Sequence, residues 1–251
     1  MRPGRSNPFM FRLSVFLLAV LLLIDGPAAR AAGRVRVLMI GDSLTVGTFG
    51  EVVHQYLANR FGSEGVAVFG SCGSKPQHWL EAEPEFDTRC GYREQTPERN
   101  RLIDFDDNGN PPPRMPTPKL ENLLARYRPT DVIIQLGTNW MDDAEPGNAL
   151  RDADRAAILD RMAAALGTAR TVRQVIWITP PDSSHFSKVV QAIIQDDIVK
   201  WARAHRYRYI LSSRITHYVR GMTGGDGIHY HKEAATAWAL DVERELNHEL
   251  L

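Results

Sequence analysis

Residues 35–45 read VRVLMIGDSLT, an apolar run that ends in a small polar turn. Apolar and β-branched residues bounded by glycine are typical of a buried strand in a parallel sheet. Residues 44–60, which overlap the end of this stretch, have the mixed apolar and polar spacing of an amphipathic helix. The stretch therefore predicts a strand-to-helix turn, with Ser43 at the turn.

That position favours reactions in which negative charge develops near Ser43. The first backbone N–H groups of a helix lack partners within the helix and lie at the positive end of its dipole. They would donate to an oxyanion formed at Ser43. The tripeptide 41–43 also suits a plain turn with a helix N-cap, because Asp and Ser are favoured there. This stretch alone leaves both interpretations open.

The N-terminus is typical of a secretory signal peptide. Three arginines precede the apolar run 13–24, and Ala-Arg-Ala at 29–31 is a small-x-small cleavage signal. The run is shorter than the roughly 20 residues that span a bilayer, which disfavours a retained membrane anchor. We expect residues 1–31 to be removed by cleavage near Ala31 or Ala32, and the mature chain to be periplasmic or secreted, without a membrane span.

The remaining residues, 32–251, are enough for one domain with a core of ordinary size. The sequence has 251 residues, of which 43% are hydrophobic and 24% charged, and its formal net charge is zero. Without the signal peptide the chain is slightly acidic, so its charge does not favour nucleic acid as a partner. Exported proteins mature in an oxidising compartment. We therefore expect Cys72 and Cys90 to form a disulfide rather than remain as two buried thiols.

Strand and helix patterns alternate along this part of the chain. Short apolar runs predict five strands, near residues 35–40, 65–70, 131–136, 172–178 and 207–211. Periodic segments predict helices over residues 44–60, 120–127, 153–169, 188–205 and 231–251. Alternation of this kind predicts a parallel sheet with helices on both faces.

The stretch from about residue 80 to residue 118 interrupts this alternation. It is charged and contains seven prolines, so we expect an inserted loop with little regular structure, of the kind that is often functional or mobile. Within it, residues 104–109 read DFDDNG and match the first half of a calcium-binding loop. Met115 stands where that pattern needs a bidentate Glu, so we favour a hairpin turn without a metal.

Polar residues follow the predicted strands at the edge where ligands of parallel sheets bind. Ser43 follows the first strand, Gly73 the second and Asn139 the third, while Asp226 and His229 lie in a Gly-rich loop before the last helix. Asp and His three residues apart can bind through one imidazole nitrogen while the other faces a serine. These residues could supply the nucleophile, the base, its orienting acid and the oxyanion donors of an ester hydrolase.

The sequence resembles the SGNH, or GDSL, hydrolase family in three blocks. They are Gly41-Asp42-Ser43-Leu44, Gly137-Thr138-Asn139 and Asp226-Gly227-Ile228-His229, in the family's order and at the expected strand ends. The resemblance implies an α/β fold, a flavodoxin-like three-layer α/β/α sandwich with a five-stranded parallel sheet in the order 2-1-3-4-5. It also implies serine-ester chemistry that uses neither a metal nor a cofactor.

Site residues carry over from the same resemblance. Ser43 would be the nucleophile, His229 the general base and then the general acid, and Asp226 the partner of His229. The backbone N–H groups of Ser43 and Gly73 and the side-chain amide of Asn139 would form the oxyanion hole.

Some of these assignments have rivals in the sequence. Gly70 is an alternative to Gly73, which we prefer because it should lie beyond the strand end. His231 is an alternative to His229, but its spacing from Asp226 fits the motif less well. Aromatic side chains near the site could line a substrate pocket, although the two tryptophans among them are equally suited to the core: His78, Trp79, Trp140 and Tyr230.

The expected function is that of an exported serine esterase that removes a small acyl group, an acetyl group in our interpretation, from an ester on a polysaccharide. Export and the nearby tryptophans favour a glycan substrate. Two alternatives stay open. One is an O-acetyltransferase that uses the same residues to pass the acyl group to a glycan, and the other is a noncatalytic glycan-binding protein on the same fold.

Overall fold

The computed structural model describes residues 35–106, 108–144 and 151–250. The signal peptide predicted for residues 1–31, with its cleavage site, lies outside the described residues. Within them, the structure contains no helix that is both long and apolar enough to cross a membrane.

A mixed sheet of seven strands organises the described part of the chain. In chain order the strands are β1 (Val37–Gly41), β2 (Val66–Ser71), β3 (Tyr92–Gln95), β4 (Asn100–Ile103), β5 (Asp131–Gln135), β6 (Gln174–Ile178) and β7 (Arg208–Ile210). Their spatial order is β4-β3-β2-β1-β5-β6-β7. The strands β2, β1, β5, β6 and β7 are parallel. These five are the predicted strands in the predicted order, so the α/β/α fold class is confirmed.

Helices cover both faces of the sheet. In the described residues they are α1 (Ser43–Val46), α2 (Thr48–Phe61), α3 (Leu120–Tyr127), α4 (Met141–Ala144), α5 (Asp152–Thr168), α6 (Lys188–Ala204), α7 (Ser212–Ile215) and α8 (Lys232–Glu249). Successive side chains of a strand point to opposite faces. In β1, Val37 and Met39 pack with α2 and α8, whereas Leu38 and Ile40 pack with α3, α5 and α6. The core therefore has two halves, separated by the sheet.

The insertion is where the sequence prediction was wrong. Instead of a loop with little regular structure, residues 80–118 contain β3 and β4, which extend the edge of the sheet beyond β2 in antiparallel fashion. All four residues of β3 are buried although three of them are polar. The Arg93 guanidinium donates to the carbonyl of Val46 and to the side chains of Glu51 and Gln95.

Buried charge is tolerated when it is paired and hydrogen-bonded. Because the partners of Arg93 come from α1, α2 and its own strand, no apolar periodicity marks β3 in the sequence. The stretch after β4 does form a turn, in which the N–H of Gly109 donates to the carbonyl of Asp106 at 2.9 Å.

The helix predicted over residues 44–60 is divided into α1 and α2 at Gly47. The two helices meet so closely that a Cβ atom added at Gly50 would lie 1.8 Å from the carbonyl oxygen of Thr45. Only glycine allows this approach without moving the backbone that carries Ser43.

We expect Gly50→Ala to lower the free energy of unfolding by about 3 kcal/mol or more, since the added methyl group meets backbone and cannot be accommodated by a rotamer change. Gly167→Ala is the matched control, because a Cβ atom there meets nothing within 4 Å. In the helix α5 this substitution should leave stability unchanged or raise it by up to about 1 kcal/mol. Urea unfolding followed by tryptophan fluorescence measures both. Equal stability of the two variants would contradict the prediction.

Candidate active site

The turn after β1 places Ser43 at the start of α1. The side chain of Asp42 caps this helix, accepting a hydrogen bond from the N–H of Leu44 at 3.0 Å. Asp and Ser are favoured at such a position for this reason. The strand, the cap and the helix together hold Ser43 at the carboxyl edge of the sheet.

Ser43, His229 and Asp226 meet at this edge. The Oγ atom of Ser43 lies 2.9 Å from Nε2 of His229, and Nδ1 of His229 lies 2.5 Å from Oδ2 of Asp226. A carboxylate can only accept, so Nδ1 carries a proton toward Asp226. In the neutral ring Nε2 is then an acceptor for the Ser43 hydroxyl. The structure thus brings together the three residues that the sequence placed in one site.

The Asp226 carboxylate is oriented by its own loop. Its second oxygen, Oδ1, accepts the N–H groups of Ile228 and His229, each at 2.8 Å. Burial would raise the pKa of this carboxyl, but the hydrogen bonds from the His229 side chain and from these N–H groups outweigh it and lower the pKa to about 2. Asp226 therefore stays ionised at neutral pH and can stabilise a positive charge on His229.

Tyr218 holds the loop that carries Asp226 and His229, a role that the sequence did not reveal. Its hydroxyl accepts the N–H of Gly227 at 3.0 Å and donates to the carbonyl of His229 at 3.1 Å. On the other side, the Ser183 hydroxyl donates to the carbonyl of Gly227 at 2.6 Å. Gly227 has a φ of +93°, a conformation that side-chain-bearing residues rarely adopt.

The proposed oxyanion donors lie at the same edge, after neighbouring strands. In the sheet Gly41 pairs with Gly70 on one side and Gln135 on the other, so β1, β2 and β5 end at one level. Gly70 lies inside β2, whereas Gly73 lies beyond its end. The N–H of Gly73 has no hydrogen-bond acceptor in the part of the chain that the structure describes.

Asn139 lies in the turn after β5. Its side-chain amide donates to the carbonyl of Ser74 at 2.9 Å, which ties it to the loop that carries Gly73. An amide has two N–H donors, so one is left for a ligand. This contact fixes the orientation of the side chain.

The disulfide between Cys72 and Cys90 is present, with 5.3 Å between the Cα atoms. Around it, the N–H of Cys72 donates to the carbonyl of Gly91 at 3.0 Å, and the N–H of Arg89 donates to the carbonyl of Cys72 at 3.1 Å. The bridge therefore joins the loop after β2 to the insertion.

The expected pocket residues do not line the site. Trp79 and Trp140 are fully buried in the core, where their indole N–H groups donate to Ser74 Oγ at 3.0 Å and Gln77 Oε1 at 2.8 Å. That part of the prediction was wrong, because both rings are inaccessible to a substrate and instead donate to side chains of the stretch after β2.

The other two aromatic candidates, His78 and Tyr230, bind other residues of the chain, and His231 lies at the start of α8. The His78 ring stacks on Phe86 with 3.9 Å between centroids, and burial, with nearby positive charges, lowers the pKa of His78 to about 4. The Tyr230 hydroxyl donates to the carbonyl of Asp182 at 2.6 Å. His231 occupies the N-cap position of α8, without a side-chain cap bond.

A cavity of about 240 Å³ adjoins Ser43. Three of its lining residues, Cys90, Asp104 and Phe105, come from the insertion, and the last two were not expected from the sequence. Its lining is Ser43, Val46, Gly47, Cys72, Cys90, Asp104, Phe105 and His229. In the sequence, the one signal for Asp104 and Phe105 is that Phe105 is an aromatic residue within the polar stretch 104–109. No cluster of three or more His, Cys, Asp or Glu side chains that could hold a metal ion occurs in the described ranges.

Behind Ser43, the carboxyl group of Asp42 is completely buried. Burial raises the pKa of this carboxyl to about 6, although the hydrogen bond from Leu44 and the nearby Thr138 and Gln135 side chains oppose the shift. The group is therefore protonated in acid and charged at neutral pH.

Several solved esterase structures have the same fold. They include a lipase/acylhydrolase from Enterococcus faecalis (19% identity over 86% of this chain and 97% of that chain, TM-score 0.54), an acetyl esterase mutant with acetate ion (14%, 86% and 97%, 0.57) and a peptidoglycan O-acetylesterase (12%, 87% and 92%, 0.53). At such identities the likeness shows the fold alone. No protein-family model and no curated protein sequence matches this chain.

Asp42 makes stability depend on pH. An unfolded Asp ionises near pH 4, whereas the folded protein holds the Asp42 proton to about pH 6. The neutral carboxyl therefore contributes stability below about pH 4 that is lost as the pH rises through about 6. Relative to Asp42→Asn, which keeps an acceptor for the helix cap, the wild type should lose on the order of 2–3 kcal/mol of unfolding free energy across this window.

Urea unfolding at intervals of pH measures this difference. Asp160→Asn removes an exposed carboxylate from α5 and should give a curve parallel to that of the wild type. If the curves of Asp42→Asn and the wild type were also parallel, the pKa of Asp42 would not be raised.

Proposed function

We propose that this protein is a serine ester hydrolase of the SGNH type. The observation that supports it is the continuous chain of hydrogen bonds from Asp226 through His229 to Ser43. The fold is one that esterases and lipases use, as the structural comparisons show. The arrangement provides a nucleophile, a base and an orienting carboxylate in the order that covalent acyl transfer requires.

The first half of the reaction forms an acyl-enzyme. Ser43 Oγ attacks the ester carbonyl carbon while His229 Nε2 takes the hydroxyl proton, and Asp226 stabilises the resulting imidazolium. The carbonyl oxygen becomes an oxyanion near the N–H groups of Ser43 and Gly73 and the amide of Asn139. Collapse of this intermediate breaks the bond to the alcohol oxygen, which receives the proton from His229.

The second half releases the acid. Water gives a proton to His229 as its oxygen attacks the acyl carbon, and the bond to Ser43 Oγ then breaks with return of the proton to Oγ. The same oxyanion donors serve both halves. Loss of one such donor typically costs about 2.7–4 kcal/mol of transition-state stabilisation, so the tie between Asn139 and Ser74 matters for the rate of both.

The substrate we propose is a small acyl ester, with acetyl as the acyl group and a polysaccharide as the alcohol. Proteins of this fold include one described as an acetyl esterase and one described as a peptidoglycan O-acetylesterase. A periplasmic or secreted location follows from the signal-peptide pattern in the sequence. The disulfide suits an oxidising compartment.

Ser43→Ala should abolish both ester hydrolysis and labelling by a serine-directed fluorophosphonate. Without the nucleophile the catalytic unit fails as a whole, so we expect a loss of at least about 10³-fold in kcat. The measurement is a screen of p-nitrophenyl esters and acetylated glycans, with wild type and variant side by side. Ser63→Ala is the matched control, since Ser63 is exposed and precedes β2, at the opposite edge of the sheet.

Each outcome of this screen is informative. Wild-type protein that is neither labelled nor active would contradict the proposal and favour a noncatalytic binding protein. Addition of a glycan acceptor tests transfer, because acetylated glycan formed faster than free acetate would assign an O-acetyltransferase instead of a hydrolase.

Tyr218→Phe should lower kcat about tenfold with little change in KM. The variant loses the hydroxyl that joins Gly227 to His229, which loosens the catalytic loop by about the net value of one or two hydrogen bonds. Since Tyr218 would touch no substrate, binding should persist.

The matched control is Tyr209→Phe, whose hydroxyl accepts only the Arg203 side chain among the described residues. It should keep wild-type kcat. Equal kcat for Tyr218→Phe and the wild type would show that the backbone of the loop needs no such support.

A further inference from the structure

The cavity beside Ser43 has walls of two kinds. One part of the lining is Ser43 and His229, the residues that would carry the chemistry, and another part is Asp104 and Phe105 from the insertion. The disulfide Cys72–Cys90 also lines the cavity. The cavity therefore includes the proposed nucleophile and base, and Asp104 and Phe105 form a separate part of its lining, which we call the outer wall.

The outer wall presents an aromatic face next to a carboxylate. Phe105 is 50% exposed, so its ring is accessible to a ligand. Asp104 Oδ1 accepts the N–H of Phe105 at 2.8 Å, and this bond holds the carboxylate next to the backbone of Phe105. The described residues give Asp104 no other hydrogen bond, so its second oxygen is available to a ligand.

The insertion is anchored well enough to hold this wall in place. Ile103 of β4 pairs with Tyr92 of β3, directly before Asp104. Gly91, the residue before β3, accepts the N–H of Cys72 at 3.0 Å. Wall residues are thus connected to the loop after β2 by both a covalent bond and a strand ladder.

The position of the cavity indicates which part of an ester it would hold. A leaving alcohol oxygen must lie within hydrogen-bond reach of His229 Nε2 to receive its proton, and His229 lines the cavity. Two of the three proposed oxyanion donors, Gly73 and Asn139, are not among the lining residues, whereas Ser43 is. The alcohol side of the substrate therefore fits this cavity better than the carbonyl oxygen does.

Size and chemistry indicate the kind of alcohol. A volume of about 240 Å³ is below the roughly 300–1,000 Å³ of pockets that enclose drug-sized ligands, so the cavity suits a single ring. The C–H groups of a sugar ring are attracted to the negative face of an aromatic ring, and its hydroxyls donate to a carboxylate. A carboxylate in the wall repels an anionic ring.

We propose that this cavity is the alcohol subsite and that it binds one neutral sugar ring, stacked on Phe105 and hydrogen-bonded to Asp104. This inference rests on the proposed esterase function and names the group that the ester would release. It makes the insertion the part of the chain that determines the choice of alcohol.

The test compares kcat/KM for two acetates that differ in the alcohol, and for two ethyl esters, ethyl acetate and ethyl hexanoate, that differ in the acyl group. One acetate is a methyl pyranoside with a single acetyl group and the other is ethyl acetate, whose alcohol is too small to reach Phe105. Phe105→Ala should lower the ratio of kcat/KM for the pyranoside acetate to that for ethyl acetate by about tenfold, the equivalent of about 1.4 kcal/mol. Asp104→Asn should lower the same ratio, by about threefold or more, because an amide accepts more weakly than a carboxylate.

Leu102→Ala is the matched control. Leu102 lies on β4 and is 54% exposed, but it does not line the cavity, so the ratio should equal that of the wild type. Thermal unfolding of the three variants verifies that each is folded. We expect all three to fold, because the substituted side chains are exposed.

Other outcomes overturn the inference in distinguishable ways. An unchanged ratio in both Phe105→Ala and Asp104→Asn would refute the subsite while leaving the esterase function intact. If the two variants changed the ratio of ethyl hexanoate to ethyl acetate instead, the cavity would hold the acyl chain. If the wild type hydrolysed none of these esters, the proposed function itself would fail, and this inference with it.

Discussion

The hydrogen bond between Ser43 and His229 joins residues 186 positions apart in the chain, and the rest of the site depends on it. A serine hydroxyl is a weak nucleophile unless a base takes its proton. In the proposed mechanism His229 is that base, and its hydrogen bond to Asp226 holds the imidazole in the tautomer that can accept the proton. One imidazole ring therefore connects the first strand-to-helix turn with the loop before the last helix. The sheet is the rigid element that sets the distance between these two segments.

Each side of this contact has its own support. On the serine side, the buried carboxyl of Asp42 caps α1. On the histidine side, the Tyr218 hydroxyl binds two backbone groups of the catalytic loop. This support matters because the side chains of Asp226 and His229 in that loop are about half exposed. A site of this kind needs its side chains held within a fraction of an ångström. Backbone hydrogen bonds to buried side chains provide such precision where a surface loop alone does not.

The insertion shows how polar sequence can extend a hydrophobic sheet. Arg93 is buried in β3, yet its guanidinium is satisfied by groups from α1, α2 and β3 itself. Because this hairpin is also linked to the loop after β2 by Cys72 and Cys90, it forms a fixed wall beside Ser43. The chain thus uses the edge of the sheet to build part of its proposed binding site.

By itself, the sequence determined the five parallel strands, the longer helices apart from the break between α1 and α2, the position of Ser43 and the pairing of Asp226 with His229. These features depend on periodicity and turn chemistry, which act over a few residues and are visible in one chain. Only the tertiary structure decided that the insertion forms two further strands, that Trp79 and Trp140 are buried, and that Tyr218 and Phe105 adjoin the site. Burial and hydrogen-bond partners depend on residues remote in the chain, and no local pattern encodes which remote residues will meet.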